Sequence, residues 1–172
     1  MKNYSFTIIY VLIGILFIAI FAQINIDLPG GIPISGQSFA VLLTAYILGR
    51  KWGTIAVFGY VLLGAIGLPI FADAKAGIEV LKGGSGGFLI GFIVAAFVVG
   101  WLAELNWRKS FVKSLLVMLL GTAIILTFGI GKLTLDYSFP QALEWGFYPF
   151  LWGALVKIVV GAAILPLKYK YL

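Results

Sequence analysis

Of the 172 residues in the chain, 62% are hydrophobic and only 10% are charged, against about 25% charged in a soluble domain; its natural solvent is a bilayer, and its length allows about six spans of roughly 20 residues with no room for a separate soluble domain. The formal net charge of +6 does not point to nucleic acid, because the basic residues are scattered between apolar runs, where they report membrane orientation. With no Cys and no His, the chain has no disulfides, thiol nucleophiles, imidazole bases or usual zinc ligands.

The first apolar run, Ser5–Ile24, follows a single lysine, Lys2. It is too long for the apolar region of a signal peptide and reads as a retained first helix. Helix two is expected from Pro33, a residue suited to a first helical turn, to Gly49. At 1.5 Å per residue it is roughly 25 Å long, short of the roughly 30 Å hydrocarbon core. Its outer end therefore stops below the surface, leaving room for the preceding loop to dip in. Helix three covers Trp52–Ile70, helix four Gly87–Trp107, helix five Phe111–Gly131 and helix six Tyr148–Leu167. The expectation is a single transmembrane domain over 1–172, all-α, polytopic, with six transmembrane helices.

Alternating the spans puts Lys2, Arg50, Lys51, Arg108, Lys109, Lys113, Lys168 and Lys170 on one side and Lys75, Lys82 and Lys132 on the other. The first side is then cytoplasmic, with both termini. Asp27, Asp73, Glu79, Asp136 and Glu144 fall outside, and Glu104 near the inner face. The outer connections, LPGGIPISG, FADAKAGIEVLKGGSGG and KLTLDYSFPQALEWGFYPF, are longer than the inner ones and rich in Gly, Pro and aromatics. Irregular backbone at a bilayer is buried in protein or lines a wet cavity, so these segments are expected to roof a binding pocket. The alternatives are solvated loops, or aromatics placed at the membrane interface.

Lys157 is the most informative residue. It lies in the otherwise uncharged FLWGALVKIVVGAAIL, roughly 12 Å into its helix counted from Pro149. A charge there costs roughly 3 kcal/mol or more, which marks a functional site by default; the alternative is a lysine snorkelling to an interface. Phe150, Ala154, Lys157 and Gly161 share one helix face, a wall suited to an anionic ligand with an apolar body. In KGGSGGFLIGF, Lys82–Phe92, Gly84 and Gly86 would let backbone amides approach a ligand, whereas Gly87 and Gly91 have the small-xxx-small spacing of helix packing. The run is neither a Walker loop nor a dinucleotide fingerprint. No nucleophile meets a base, so the chain is not expected to be an enzyme.

The runs IPISGQSFAVLLTAYILGRKWG (Ile32–Gly53), YVLLGAIGLPIFA (Tyr60–Ala72), GGSGGFLIGF (Gly83–Phe92) and PFLWGALVK (Pro149–Lys157) resemble, in order and spacing, the BioY family of biotin-binding S components of energy-coupling factor (ECF) transporters. The resemblance implies an S-component-like fold in a prokaryotic cytoplasmic membrane, in contact with membrane lipids. It implies a biotin site under the outer loops, and as partners a membrane coupling subunit and two ATPases. No cofactor is expected in the chain itself, since ATP would act only through those partners. There are departures. Gly83-Gly84-Ser85-Gly86-Gly87 stands where the family often has Gly-Pro-Thr-Gly-Gly, and Phe88 where a tyrosine often follows. Ala154 occupies a position that often carries Asp, and helix one lacks the Ala-xxx-Ala pattern associated with docking on the coupling subunit. In this reading Phe39, Phe71, Phe88 and Phe150 pack on the bicyclic head. Gln37, Asp73 and Ser85 orient it, with Asp73 replacing the carboxylate absent at Ala154; Gly84 and Gly86 bring backbone to the ligand, and Lys157 neutralises its carboxylate or binds another polar end of the ligand. A related carboxylate such as lipoate or dethiobiotin, or a membrane scaffold that takes no ligand, remain the alternatives.

Overall fold

In the computed structural model, residues 4–26, 34–105, 107 and 110–170 are described. Lys2, Asp27, Pro33, Arg108 and Lys109, used above, lie outside them. The longest helix, α2 (Gln37–Ala65), has 29 residues and would measure roughly 43 Å if straight. Yet the side chain of Gln37 donates to the Tyr60 hydroxyl at 2.6 Å, two groups that a straight helix would hold roughly 35 Å apart. The helix folds back at Gly49, whose φ of 80° and ψ of −179° suit a residue without Cβ. Gly53 lets the limbs touch: a Cβ there would sit 2.6 Å from Ala45 Cα. Glu104 Oε1 accepts from the Arg50 backbone N–H at 2.8 Å, satisfying an orphan donor at the start of the second limb.

Around this hairpin stand α1 (Tyr4–Ala22), α4 (Gly86–Glu104), α5 (Phe111–Asp136) and α7 (Tyr148–Lys170), with short α3 (Ile78–Lys82) and α6 (Phe139–Gly146). By uninterrupted length alone α2, α4 and α5 can each cross a bilayer, and α6 and α7 form a pair bent by 40°. Counting α2 as two limbs and adding α1 and α7 yields six apolar helical segments, so the chain is a multi-pass membrane protein. Glycines set the close contacts. A Cβ on Gly14 would meet Thr44, and one on Gly100 the Arg50 backbone. One on Gly87 would meet Phe128 O and one on Gly91 the Ile125 Cα, so this small-xxx-small pair packs α4 on α5 as its spacing predicts. Buried Tyr46 and Ser114 share a hydrogen bond of 2.7 Å that ties the first limb to α5. Ile8, Leu12, Leu16 and Ile20 on α1, and Trp152, Leu155 and Val159 on α7, are exposed, as a lipid-facing stripe requires.

The boundaries differ from expectation where local chemistry intervenes. The third segment ends at Ala65, not Ile70: Gly67 takes φ +115°, its N–H bonds Gly64 O and that of Leu68 bonds Leu63 O, the glycine-closed Schellman ending. Helix five runs on to Asp136, and the third outer connection is partly helical. There Ser138 and Gln141 form a capping box ahead of α6, with a proline in the first turn, a start signal obscured by the aromatics around it. In the first outer connection Asn25–Ile26 (β1) pairs antiparallel with Ile34–Ser35 (β2). The first limb of α2, 37–48, is roughly 18 Å long, so the short second helix is shorter still than the expected 33–49.

Candidate ligand-binding site

A cavity of about 910 Å³, counting its open mouth, lies between the head of α2, the turn after Ile70, the start of α4, α5 and α7. Five phenylalanines stand in its wall, among them Phe39, Phe71, Phe88 and Phe150. Phe88 and Phe150 stack with centroids 5.6 Å apart, and Phe88 is seated on Gly129, where a Cβ would come 2.3 Å from its ring. Phe71 is buried against Gly64 and meets Tyr60 edge-on at 5.7 Å. Leu42, Phe92, Met118 and Ile125 continue the apolar lining.

The polar groups are few. Lys157 Nζ donates to Ser35 O at 2.6 Å and to Ser38 Oγ at 3.2 Å, so α7 is tied across the cavity to β2 and the head of α2. Gln37 is buried, bonded to Ser35 Oγ through its carbonyl oxygen (2.8 Å) and to Tyr60 through its nitrogen. The turn Ala72–Ala74 is held by Gln23, just past the C-terminal end of α1: its nitrogen donates to Phe71 O at 3.1 Å and its oxygen accepts from Ala74 N at 3.1 Å. Both Asp73 (φ 59°) and Ala74 (φ 53°) are left-handed, a conformation costly for non-glycine residues that this clamp sustains. Among the described lining residues there are two cations, Lys75 and Lys157, and no carboxylate.

Of the residues singled out in the sequence, Gln37, Phe39, Phe71, Ser85, Phe88, Phe150, Ala154 and Lys157 come together around the cavity. Asp73, Gly84 and Gly86 do not line it. The strained turn aims Ala72 and Lys75 at the cavity, while Asp73 pairs with Lys75 at 3.1 Å. Gly86 serves chain entry into α4, since a Cβ there would fall 1.7 Å from Leu81 O. Ser35, Ser38, Lys75, Met118 and Thr122 also stand on the wall, beyond the residues that the sequence singles out. Ser35 and Ser38 flank Gln37 in the PISGQS run and were within reach. Met118, Thr122 and Ile125 share a helix face whose spacing is that of any packing face.

A family model described as the BioY family matches residues 2–172. The chain is 46% identical to "Biotin transporter BioY" of Thermotoga maritima over 90% of each chain. It is 32% identical to "Biotin transporter BioY2" of Lactococcus lactis subsp. cremoris, over 92% of this chain and 86% of the relative. These relatives are transporters, not enzymes. A crystal structure of the S-component for biotin from an ECF-type ABC transporter superposes with a TM-score of 0.88 at 26% identity, covering 99% of this chain and 95% of that one. A family match along nearly the whole sequence, carried by an S-component fold with a cationic aromatic cavity, means that this chain belongs to the BioY family.

Proposed function

We propose that the chain captures biotin from outside the cytoplasmic membrane, as the substrate-binding subunit of an ECF-type transporter. The observation that carries this reading is the Lys157 ammonium, set in an apolar aromatic wall with neutral oxygens as its hydrogen-bond partners. A partly buried cation without an anionic partner is costly, and a ligand carboxylate would supply that anion through a charge-assisted bond. Biotin pairs such a carboxylate with an aliphatic arm and a compact bicycle for the phenylalanines. Its ureido group would be met by neutral acceptors, Gln37, Ser85 or Thr122. The chain would work with a membrane coupling subunit and two ATPases, which would use the ATP, and with both termini in the cytoplasm. The absence of a carboxylate from the described wall favours a second reading, a carboxylate without ureido N–H groups, such as lipoate.

The test is mass spectrometry of small molecules retained by the purified chain, followed by calorimetry with biotin, dethiobiotin and lipoate. Stoichiometric biotin and the tightest binding to biotin are expected. Retained lipoate establishes the second reading, and no bound ligand in any arm leaves a scaffold. A reporter active only in the cytoplasm, fused to Leu172, is expected to give signal; activity of an exterior-only reporter there would reverse the membrane orientation of the pocket.

A further inference from the structure

The buried polar side chains at the head of α2 form a chain of hydrogen bonds with one direction. Tyr60 is fully buried, and its hydroxyl lies 2.9 Å from the backbone oxygen of Ile70. A carbonyl oxygen only accepts, and a phenol has one proton, so that proton goes to Ile70. The same hydroxyl is 2.6 Å from the Gln37 amide and can there only accept, which obliges Gln37 to turn its nitrogen toward Tyr60. The Gln37 carbonyl oxygen then faces the opposite way, where Ser35 Oγ donates at 2.8 Å while accepting from the Gln37 backbone N–H at 3.3 Å. Ser35 and Gln37 line the cavity; Tyr60 and Ile70 do not.

We infer that Tyr60 is a specificity-determining, positioning residue: from behind the wall it fixes the Gln37 amide with its carbonyl oxygen toward the ligand, as the acceptor for a ring N–H. The inference rests on the biotin reading. An amide oxygen has two lone pairs, and Ser35 occupies one. An unanchored amide turns over at little cost and presents NH2 groups, which repel a ligand N–H. The Tyr60 ring alone packs against Phe71; the hydroxyl is what selects.

The experiment compares biotin with lipoate, which keeps the carboxylate and apolar ring but has no ring N–H, on the full chain in detergent. Tyr60→Phe is expected to weaken biotin about tenfold, the effect of one neutral hydrogen bond lost at a buried site, with lipoate unchanged, so selectivity falls by the same factor. A carboxylate presents an acceptor in either orientation, so adding Gln37→Glu to Tyr60→Phe is expected to recover selectivity for biotin. Equal weakening of both ligands, or no change in either, overturns the inference and leaves Tyr60 a packing residue. Failure of Gln37→Glu to recover selectivity in the Tyr60→Phe background also overturns it. Wild-type protein that takes lipoate but not biotin overturns the functional reading instead, and this assignment with it.

Discussion

The two sides of the cavity are held in opposite ways. On the α2 side every polar group named is engaged within the fold: Ser35, Gln37, Tyr60 and Ile70 O form one hydrogen-bonded chain, and Phe71 is 2% exposed, wedged on Gly64. On the α7 side a single lysine crosses to β2 and the head of α2, on a helix whose outward face, with Trp152 at 80% and Val156 at 64% exposure, has no protein cover. One wall is held by bonds within the protein. The other is closed by a contact for which, on the proposed reading, a ligand carboxylate would compete, because an anion is a stronger partner for an ammonium than a carbonyl or hydroxyl oxygen. Selectivity for the head group is therefore expected from the rigid wall, and recognition of charge from the α7 wall.

The sharpest way to break this division is Lys157→Met. With the charge-assisted bond gone, biotin is expected to bind about a hundredfold more weakly, corresponding to about 1.5–3 kcal/mol for a hydrogen bond to a charged group, while the chain stays folded. An uncharged biotin amide should lose much less, as calorimetry on both ligands would show. Equal loss for both would move Lys157 to the head group.

Next in size is Gly64→Ala on the rigid side. Its Cβ would lie within 2.3–2.7 Å of three atoms of the Phe71 ring. Overpacking of this kind costs about 1–3 kcal/mol, so a lower thermal midpoint and weaker biotin binding are expected together. An unchanged midpoint would show that the Phe71 wall yields.

Asp73→Ala is a smaller test. The carboxylate pairs with half-exposed Lys75 and is off the cavity wall, and a pair so exposed is worth about 0–1 kcal/mol. Its removal leaves more positive charge at the cavity, so biotin is expected to bind slightly more tightly, by less than about threefold, and the gain should fade at high salt. A sharp loss would restore Asp73 as the acceptor for the ureido group.

Smallest of all is Gly161→Ala on the α7 side. Its Cβ would meet Met118 Sδ at 3.3 Å, a flexible thioether that gives way readily. A change within about 0.5 kcal/mol in stability is expected, against the larger cost at Gly64. Comparable costs at the two glycines would abolish the distinction between the walls.

What the sequence determined by itself follows from composition and from rules of short range. Apolar run lengths and the distribution of basic residues predict six segments, since burying backbone in lipid demands helices. A lysine inside a span announces a candidate site through its solvation cost, whereas of the aromatics in the expected outer connections only Phe71 and Phe150 line the cavity. The spacing of Gly87 and Gly91 announces a helix contact. Distances between residues remote in the chain emerge only when the helices pack. Nothing local to Asp73 says that a left-handed turn, held by Gln23 just after α1, aims its neighbours and not itself at the cavity. Nothing local to Gly86 says that Leu81 O leaves no room for a side chain. Tyr60 reads as one more aromatic in an apolar run until the turn at Gly49 brings it to Gln37. The physical reason is that helical periodicity reports which face a residue occupies, whereas a hydrogen bond depends on where two faces meet, and that is set by how the segments pack.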